Sequence, residues 1–194
     1  MTDPANMTNS SEPSPKKIVI VGGVAGGMSC AARARRISES AEIIVFERGA
    51  HVSFANCGLP YHLGGTIAER EKLLVTSPDM LRRRFGIDIR ARHEVTAIDR
   101  TGKTVTVRNL ETGEDLVESY DALVLSPGGK PIVPPIDGID LPGVTPLRNL
   151  EDMDAIKARI DRDGASSAVV IGGGFIGLET AEELRHKGLA VTLL

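Results

Sequence analysis

Short apolar runs alternate with amphipathic stretches from residue 16 onward. Lys17–Val21 is rich in β-branched residues and stops at two glycines, which predicts a strand, and 43–46 predicts a second buried strand. Between them, 25–38 is rich in Ala and Arg and predicts a helix. A strand, a helix and a strand in this order form a βαβ unit, so we expect an α/β protein with a central parallel sheet.

The middle of the chain has a different pattern. Segments 92–99 and 103–108 read as strands joined by a Thr-Gly turn at 101–102, which predicts a β-hairpin or meander inserted into the fold. The apolar run 122–125 predicts another strand. A connector rich in Pro and Gly follows at 127–146, and it is the best candidate for a domain boundary.

A second βαβ unit follows the connector. After a helical stretch at 150–160, the pattern predicts a strand at 168–171, a helix at 176–187 and a strand at 190–194. One strand pair with one helix cannot close a stable sheet, so we expect this second unit to be truncated and the chain to be the front portion of a longer protein.

The turn that opens the second unit has the pattern G-x-G-x-x-G. Gly172 permits a tight turn, Gly174 lets the backbone approach a pyrophosphate, and Gly177 lets the helix lie against the strand. The N-terminus of the following helix supplies N–H donors and a positive dipole end for phosphate. This pattern between a strand and a helix predicts dinucleotide binding, although a plain glycine-rich turn remains the alternative.

The first turn is a variant of the same pattern. Val24 stands where the second glycine is expected, but Gly26 and Gly27 leave the start of the helix without bulky side chains. Glu47 ends the next strand, where an acidic residue holds a ribose hydroxyl in dinucleotide-binding folds; the alternative is a solvated strand-end charge. Two such turns predict two dinucleotides, and the usual pair is a flavin with a nicotinamide.

Composition narrows the remaining possibilities. A net charge of -3 argues against a nucleic-acid partner, and the longest apolar runs are too short to span a bilayer. The Ser/Asn/Pro-rich first fifteen residues lack the apolar core of a signal peptide, so we expect a disordered tail at 1–15 and a cytoplasmic protein. The two cysteines have no metal-binding spacing.

The two cysteines differ in context. Cys30 lies on the Ala-rich first helix and is expected to pack in the core. Cys57 is flanked by polar residues just before a predicted short helix, where the thiolate form is favoured and the sulfur becomes redox-active; the alternative is a small buried side chain.

Five segments together carry a family resemblance. They are GGVAGG at 22–27, Glu47, SFANCGLPY at 53–61, YDALVLSPG at 120–128 and GGGFIGLE at 172–179. With these the chain resembles the pyridine nucleotide-disulfide oxidoreductase family from Lys17 to Leu194, and within it the coenzyme A-disulfide reductase branch, which includes forms fused to a rhodanese domain. The cysteine segment is the specific part, because many flavoproteins share the glycine motifs.

The resemblance implies a Rossmann-like FAD-binding domain at 16–148 and the start of an NAD(P)-binding domain at 149–194. It implies that Cys57 lies beside the flavin and cycles through a mixed disulfide with coenzyme A. Dithiol members of the family carry a second cysteine five positions on, where this chain has His62. Without that thiol, Cys57 must pair with a small-molecule thiol or rest as a sulfenic acid. Contacts to coenzyme A are implied for Arg36, Ser53 and Asn56. Cofactor contacts are implied for Gly22, Val24, Ala25, Gly26, Gly27, Glu47, Arg48, Asn56, Val95, Ser126, Pro127, Gly128, Gly172, Gly174, Phe175, Ile176, Gly177 and Glu179.

The predicted activity is that NAD(P)H reduces FAD, which passes electrons to the disulfide between Cys57 and coenzyme A. The substrate would be coenzyme A disulfide, a persulfide or a polysulfide, and the full-length protein is expected to be a homodimer. Two alternatives remain: an NADH oxidase or peroxidase that uses a cysteine sulfenic acid, and an inactive cofactor-binding fragment. Arginine triplets at 33–36 and 82–84 are candidate phosphate contacts or solvated helix faces, and His62 is a candidate base or a packed side chain.

Overall fold

The computed structural model describes residues 15–194, so the predicted tail at 1–15 lies outside the described residues except for Pro15. The helices are α1 Ala25–Ile37, α2 Leu59–Gly64, α3 Pro78–Phe85, α4 Leu150–Asp161 and α5 Phe175–His186. The strands are β1 Lys17–Val21, β2 Glu42–Glu47, β3 Ile87–Ala91, β4 His93–Asp99, β5 Thr104–Asn109, β6 Asp115–Ser119, β7 Ala122–Leu125, β8 Ser167–Val170 and β9 Ala190–Leu193.

The main sheet has the order β3-β2-β1-β7, and all of its pairs are parallel. One face packs on α1 and α3 through a buried cluster that includes Ile20, Met28 and Leu81. β1, β2, β7 and α1 were predicted from the sequence. The edge strand β3 was missed, because its five residues alternate apolar and polar positions over too short a run.

The other face of the main sheet is covered by an antiparallel meander, β4-β5-β6. Val105 and Val107 of β5 are fully buried against Ile44 and Phe46 of β2. The predicted hairpin between β4 and β5 is confirmed, and its turn is closed by Asp99, whose Oδ1 accepts two backbone N–H groups at 2.9 Å. β6 was missed, since its apolar and polar residues alternate within five positions at the sheet edge.

The connector 127–146 contains no helix or strand, as predicted. α4 then begins at a capping box in which Asn149 Oδ1 accepts the N–H of Asp152 at 2.8 Å and Asp152 Oδ2 accepts the N–H of Asn149 at 3.3 Å. These reciprocal bonds satisfy donors that the first helical turn leaves open. The start of α4 is therefore fixed at the predicted position.

The second unit consists of the parallel pair β8-β9 with α5 between its strands. α5 also packs against α2, the helix that follows Cys57, through a buried cluster that includes Leu63, Met153 and Leu184. The helix that follows the cysteine segment is thus in contact with the helix that follows the second glycine turn. None of the helices within 15–194 is both long and apolar enough to cross a membrane.

Candidate functional site

The two glycine turns have the same geometry. Gly22 has φ +99° and Gly172 has φ +112°, and each donates its N–H to a carbonyl at the end of the following strand at 2.8 Å. A Cβ on Gly27 would lie 1.7 Å from the Gly22 carbonyl oxygen, and one on Gly177 would lie 1.9 Å from that of Gly172. Both helices therefore start in close contact with their turn, which only glycine permits.

Glu47 connects the end of β2 to the first glycine turn. Its Oε2 accepts the N–H of Gly23 at 2.7 Å and its Oε1 accepts the N–H of Gly49 at 2.6 Å. A Cβ on Gly23 would lie only 2.9 Å from Glu47 Cβ, so this glycine allows the approach. Each carboxylate oxygen keeps a further lone pair for a hydroxyl donor.

An open cleft of about 970 Å³ runs over the first glycine turn. Of the residues predicted to bind cofactor, the lining includes Gly22, Val24, Ala25, Gly26, Glu47, Arg48, Asn56, Val95, Ser126, Pro127 and Gly128, together with the predicted catalytic Cys57. Gly27 lies behind this surface, under the turn. Gly172, Gly174, Phe175, Ile176, Gly177 and Glu179 belong to the second turn and its helix and do not line this cleft.

The cleft suits a dinucleotide in three respects. The N-terminus of the thirteen-residue α1 opens into it at Ala25, where backbone N–H groups favour phosphate. Glu47 offers acceptor lone pairs for a ribose, and Gly26 brings the helix close to Ser126 at the floor, since an added Cβ would lie 3.3 Å from Ser126 Oγ. These residues fit FAD.

Cys57 is an exposed thiol in a 3-10 turn, Asn56–Gly58, that leads directly into α2. The segment before it is fixed by the bond from the Ala55 N–H to the Leu73 carbonyl at 2.8 Å. Ser53 has φ 50°, a conformation that a non-glycine residue adopts at a cost. The loop therefore presents the sulfur to the cleft on a constrained backbone.

His62 takes no part in this thiol site. Its side chain is 3% exposed, and Nδ1 lies 2.7 Å from the carbonyl oxygen of Ile67. Of the two roles considered for His62, the packed side chain is the one observed. Cys30 is half-buried on α1 and packs against the core cluster on the other side of the turn, as predicted.

A second groove of about 570 Å³ adjoins the cleft. It shares three residues with the cleft, Val24, Ala25 and Phe54, and its polar lining consists of Ser29, Arg33, Arg36 and Ser53. Arg36 and Ser53, which the resemblance linked to coenzyme A, therefore lie together here. Asn56, the third, lines the cleft instead.

The arginine clusters divide into two groups. Arg33 and Arg36 line the groove, whereas Arg35 donates to the carbonyls of Phe85 and Gly86 at the end of α3, at 2.7 and 2.9 Å. Arg82–84 lie outside the groove; Arg82 pairs with Asp79 at 3.4 Å, and Arg84 lies over the Phe85 ring. Arg82 and Arg84 therefore have partners on their own helix, and Arg82 also lies 3.9 Å from Asp88 of β3.

Two polar contacts join α2 and its following turn to α5. Tyr61 donates to Glu179 Oε1 at 3.3 Å, and Thr66 donates to the buried Glu183 at 2.9 Å. The negative charge of Glu179 raises the pKa of Tyr61 above its ordinary value, and burial and the hydrogen bond add to the shift. These two hydrogen bonds therefore join the helix that follows Cys57, and the turn after it, to α5 of the second unit.

Arg148 lines the cleft and was not predicted. Its Nε donates to the carbonyl of Gly129 at 3.1 Å, and its Nη1 lies 2.9 Å from Asn56 Oδ1 when the amide is oriented to satisfy both neighbours. No local pattern identifies it, because Asn56 and Arg148 are far apart along the chain. His51 also lines the cleft and lies 4.0 Å from Glu151 in the first turn of α4.

Comparisons with known proteins agree with this geometry. Residues 16–194 match the family described as pyridine nucleotide-disulphide oxidoreductase. Coenzyme A disulfide reductase of Staphylococcus haemolyticus (strain JCSC1435) is 44% identical over 180 residues, which cover 92% of this chain and 40% of that protein. The chain thus spans about 40% of the length of the curated relatives it matches.

Two solved structures are similar over most of the chain. Reduced Bacillus anthracis CoADR-RHD has a TM-score of 0.89 and 55% identity, covering 92% of this chain and 32% of that one. The water-forming NADH oxidase from Lactobacillus brevis, bound to NADH, has a TM-score of 0.85 and 37% identity, covering 92% of this chain and 39% of that one. The match to the family, over residues 16–194, includes both glycine turns and the cysteine segment.

Proposed function

Because this chain belongs to the pyridine nucleotide-disulphide oxidoreductase family, we propose that it supplies the thiol and the FAD cleft of an NAD(P)H-dependent reductase of coenzyme A disulfide or of a related persulfide or polysulfide. The first unit binds FAD, and the second glycine turn binds the nicotinamide dinucleotide. The whole activity is that of the longer protein, for which we propose a cytoplasmic homodimer.

One observation carries this proposal. The exposed Cys57 lines the dinucleotide cleft, and the groove with Arg33 and Arg36 meets that cleft at Val24, Ala25 and Phe54. Guanidinium groups bind phosphates through charge-assisted hydrogen bonds. A substrate with a phosphate-bearing end and a sulfur end therefore fits the groove and the thiol at the same time, as coenzyme A disulfide would.

The thiol chemistry balances with one disulfide and two electrons. The Cys57 thiolate attacks one sulfur of coenzyme A disulfide, the substrate S–S bond breaks, and one coenzyme A thiolate leaves as the mixed disulfide forms. Two electrons that originate on NAD(P)H, with one proton from water, then return Cys57 to the thiolate and release the second coenzyme A as a thiol. FAD, when bound, supplies the two-electron carrier between NAD(P)H and the sulfur.

The residues of this chain position the reactants. Glu47 and the glycine turn would hold the adenosine part of the dinucleotide, and Ser126, Pro127 and Gly128 line the cleft beside that turn. Arg36 and Ser53 would hold the phosphate-bearing end of the substrate. His62 offers no second sulfur, so the mixed disulfide is resolved from outside the chain.

The first step can be tested on the chain alone, because disulfide exchange needs no flavin. The reduced protein is incubated with coenzyme A disulfide and analysed by peptide mass spectrometry. We expect one coenzyme A adduct on the Cys57 peptide and little on that of Cys30, which is half-buried. An Arg36→Met variant should form the adduct at least about tenfold more slowly at low substrate concentration, because charge-assisted hydrogen bonds are lost.

Arg162→Met is the matched control, since Arg162 is exposed and pairs only with its neighbour Asp163. Equal labelling of Cys57 and Cys30, or no labelling, would reject coenzyme A disulfide as the substrate. An unaltered rate in Arg36→Met would reject the groove as its binding site.

The second candidate is an NADH oxidase or peroxidase that works through a Cys57 sulfenic acid. The likeness to the Lactobacillus brevis oxidase favours it. Treating the chain with peroxide and a sulfenic-acid trap compares the two: stable trapping at Cys57, together with no coenzyme A adduct, supports the oxidase.

A further inference from the structure

We propose that Arg148 is a positioning residue for the Cys57 thiol: its side chain holds Asn56, the residue before the cysteine, to the wall of the cleft at Gly129. The inference deepens the proposed function, because it rests on Cys57 being the reacting group. It assigns a role to a residue that no sequence motif identified.

The side chain bridges two segments of the cleft. Nε donates to the Gly129 carbonyl at 3.1 Å on the connector side. With the Asn56 amide oriented to satisfy both of its neighbours, Nη1 donates to Asn56 Oδ1 at 2.9 Å on the cysteine side. Asn56 in turn donates its amide N–H to the Phe54 carbonyl at 3.2 Å. The fixed fork of a guanidinium suits two acceptors placed in this way, whereas the single ammonium of lysine does not.

Arg148 is itself held at both ends. Its backbone N–H donates to Asp152 Oδ2 at 2.9 Å, so its main chain belongs to the capping box of α4. Gly128 has φ +71°, and a Cβ there would lie 2.8 Å from Arg148 Nη2, so this glycine leaves the path of the guanidinium open. Other charged groups around the cleft, Arg48 with Glu94 and His51 with Glu151, pair with each other and not with the cysteine turn.

The bridge formed by Arg148 matters because only a small number of hydrogen bonds hold the cysteine turn in place. Cys57 is exposed and lies in a single 3-10 turn, which two backbone bonds close: the Gly58 N–H donates to the Ala55 carbonyl at 2.9 Å, and the Leu59 N–H donates to the Asn56 carbonyl. Without Arg148, the amide of Asn56 would keep only its local bond to Phe54. The turn would then open more often, and the sulfur would spend less time in the geometry required for exchange.

The test is hydrogen exchange of the peptide covering 53–58, measured in Arg148→Met, Arg148→Lys, Asn56→Ala and the double variant Arg148→Met/Asn56→Ala. We expect both Arg148 variants to speed exchange there by about threefold or more, as for the loss of a coupling between neighbouring residues, with no change in β2. In the Asn56→Ala background, Arg148→Met should add nothing. The control Arg162→Met should behave as the parent protein.

The same variants are compared in coenzyme A disulfide exchange at Cys57, where both Arg148 variants should be at least about threefold slower. Unchanged exchange in 53–58, full rescue by lysine, or an undiminished Arg148→Met effect in the Asn56→Ala background would each overturn the proposal. Faster exchange throughout β2 would show a general loss of stability and would also overturn it. If Cys57 fails to react with coenzyme A disulfide at all, the proposed substrate is wrong, but hydrogen exchange still decides the role of Arg148.

Discussion

The backbone N–H of Gly23 donates to Glu47 Oε2 at 2.7 Å, so the first glycine turn and the end of β2 form one rigid corner. The same carboxylate also accepts the N–H of Gly49 at 2.6 Å. The residue proposed to hold a ribose therefore has a structural role before any ligand arrives.

Replacing Glu47 with alanine should affect both folding and cofactor binding. Two charge-assisted hydrogen bonds are lost, and we expect the free energy of unfolding to fall by about 2 kcal/mol and the FAD dissociation constant to rise at least about tenfold. Thermal unfolding and a flavin fluorescence titration measure the two effects. Glu94→Ala is the control, because Glu94 lines the same cleft but pairs only with the exposed Arg48 at 3.6 Å; equal FAD affinity in both variants would contradict the proposed ribose contact.

Alanine substitutions at Gly22 and Gly113 distinguish the cost of a steric clash from the cost of backbone strain. Both have positive φ, at +99° and +78°, but a Cβ on Gly22 would lie 2.0 Å from the Ser126 carbonyl oxygen, whereas nothing lies within 4 Å of one on Gly113. Gly113→Ala should cost about 1 kcal/mol and Gly22→Ala about 3 kcal/mol or more. Denaturant unfolding of the two variants measures the difference, and similar losses would show that β7 yields to the added methyl group.

The contact between Tyr61 and Glu179 predicts that the Tyr61 phenol titrates at a higher pH than an ordinary tyrosine. The chain has two tyrosines and no tryptophan, so a Tyr120→Phe variant leaves Tyr61 as the sole phenol. Because the Glu179 carboxylate raises the pKa of Tyr61, its absorbance change at alkaline pH should be centred above the ordinary value of 10.0. Adding Glu179→Gln should move the midpoint down, while Glu114→Gln, on a distant turn, should leave it in place; a midpoint unaffected by Glu179→Gln would disprove the contact.

The contacts of Asp161 with two lysines predict that the stability of the protein depends on pH. Hydrogen bonds from Lys157 and Lys187, at 2.7 and 3.0 Å, lower the pKa of Asp161 below its ordinary value of 3.8. A lowered pKa in the folded state means that the stabilisation is complete above pH 3.8 and is lost as the pH falls through the lower folded-state pKa. Asp161→Asn should therefore reduce stability at neutral pH, by less than about 1 kcal/mol for an exposed pair.

The loss in Asp161→Asn should disappear in strongly acidic solution. Chemical unfolding of parent and variant at neutral and acidic pH measures it. Asp137→Asn, in the connector, is the control. A difference that persists or grows in acid would contradict the assigned sign.

Most of the fold could be predicted because its strands and glycine turns are specified by residues close together in the sequence. The two glycine turns were recognised as repeats from their spacing, and they share the contact between the fifth residue after the first glycine and that glycine's carbonyl. The bounds of β1 were predicted to the residue. The short edge strands β3 and β6 were missed, because pairing with a neighbour stabilises them more than their own apolar pattern does.

The candidate site was predictable only in part. Glu47 was predicted from its distance to the first glycine turn, and Cys57 from the segment that surrounds it; both line the cleft. The Asn56–Arg148 bond and the Tyr61–Glu179 bond join segments that are far apart along the chain, and tertiary packing alone brings them together. The same reasoning explains Arg35, a candidate for a phosphate contact or a solvated helix face, whose guanidinium donates to carbonyls at the end of α3 and just after α1.

The burial of His62 has a consequence for the cell. Cys57 faces the cleft, Cys30 packs against the core, and the position that would carry a resolving thiol is filled by an imidazole bonded to Ile67. An oxidised Cys57 must take its second sulfur or its oxygen from solution. With Cys57 as the proposed reacting thiol, we expect its resting oxidation state to follow the concentrations of low-molecular-weight thiols and oxidants around the protein.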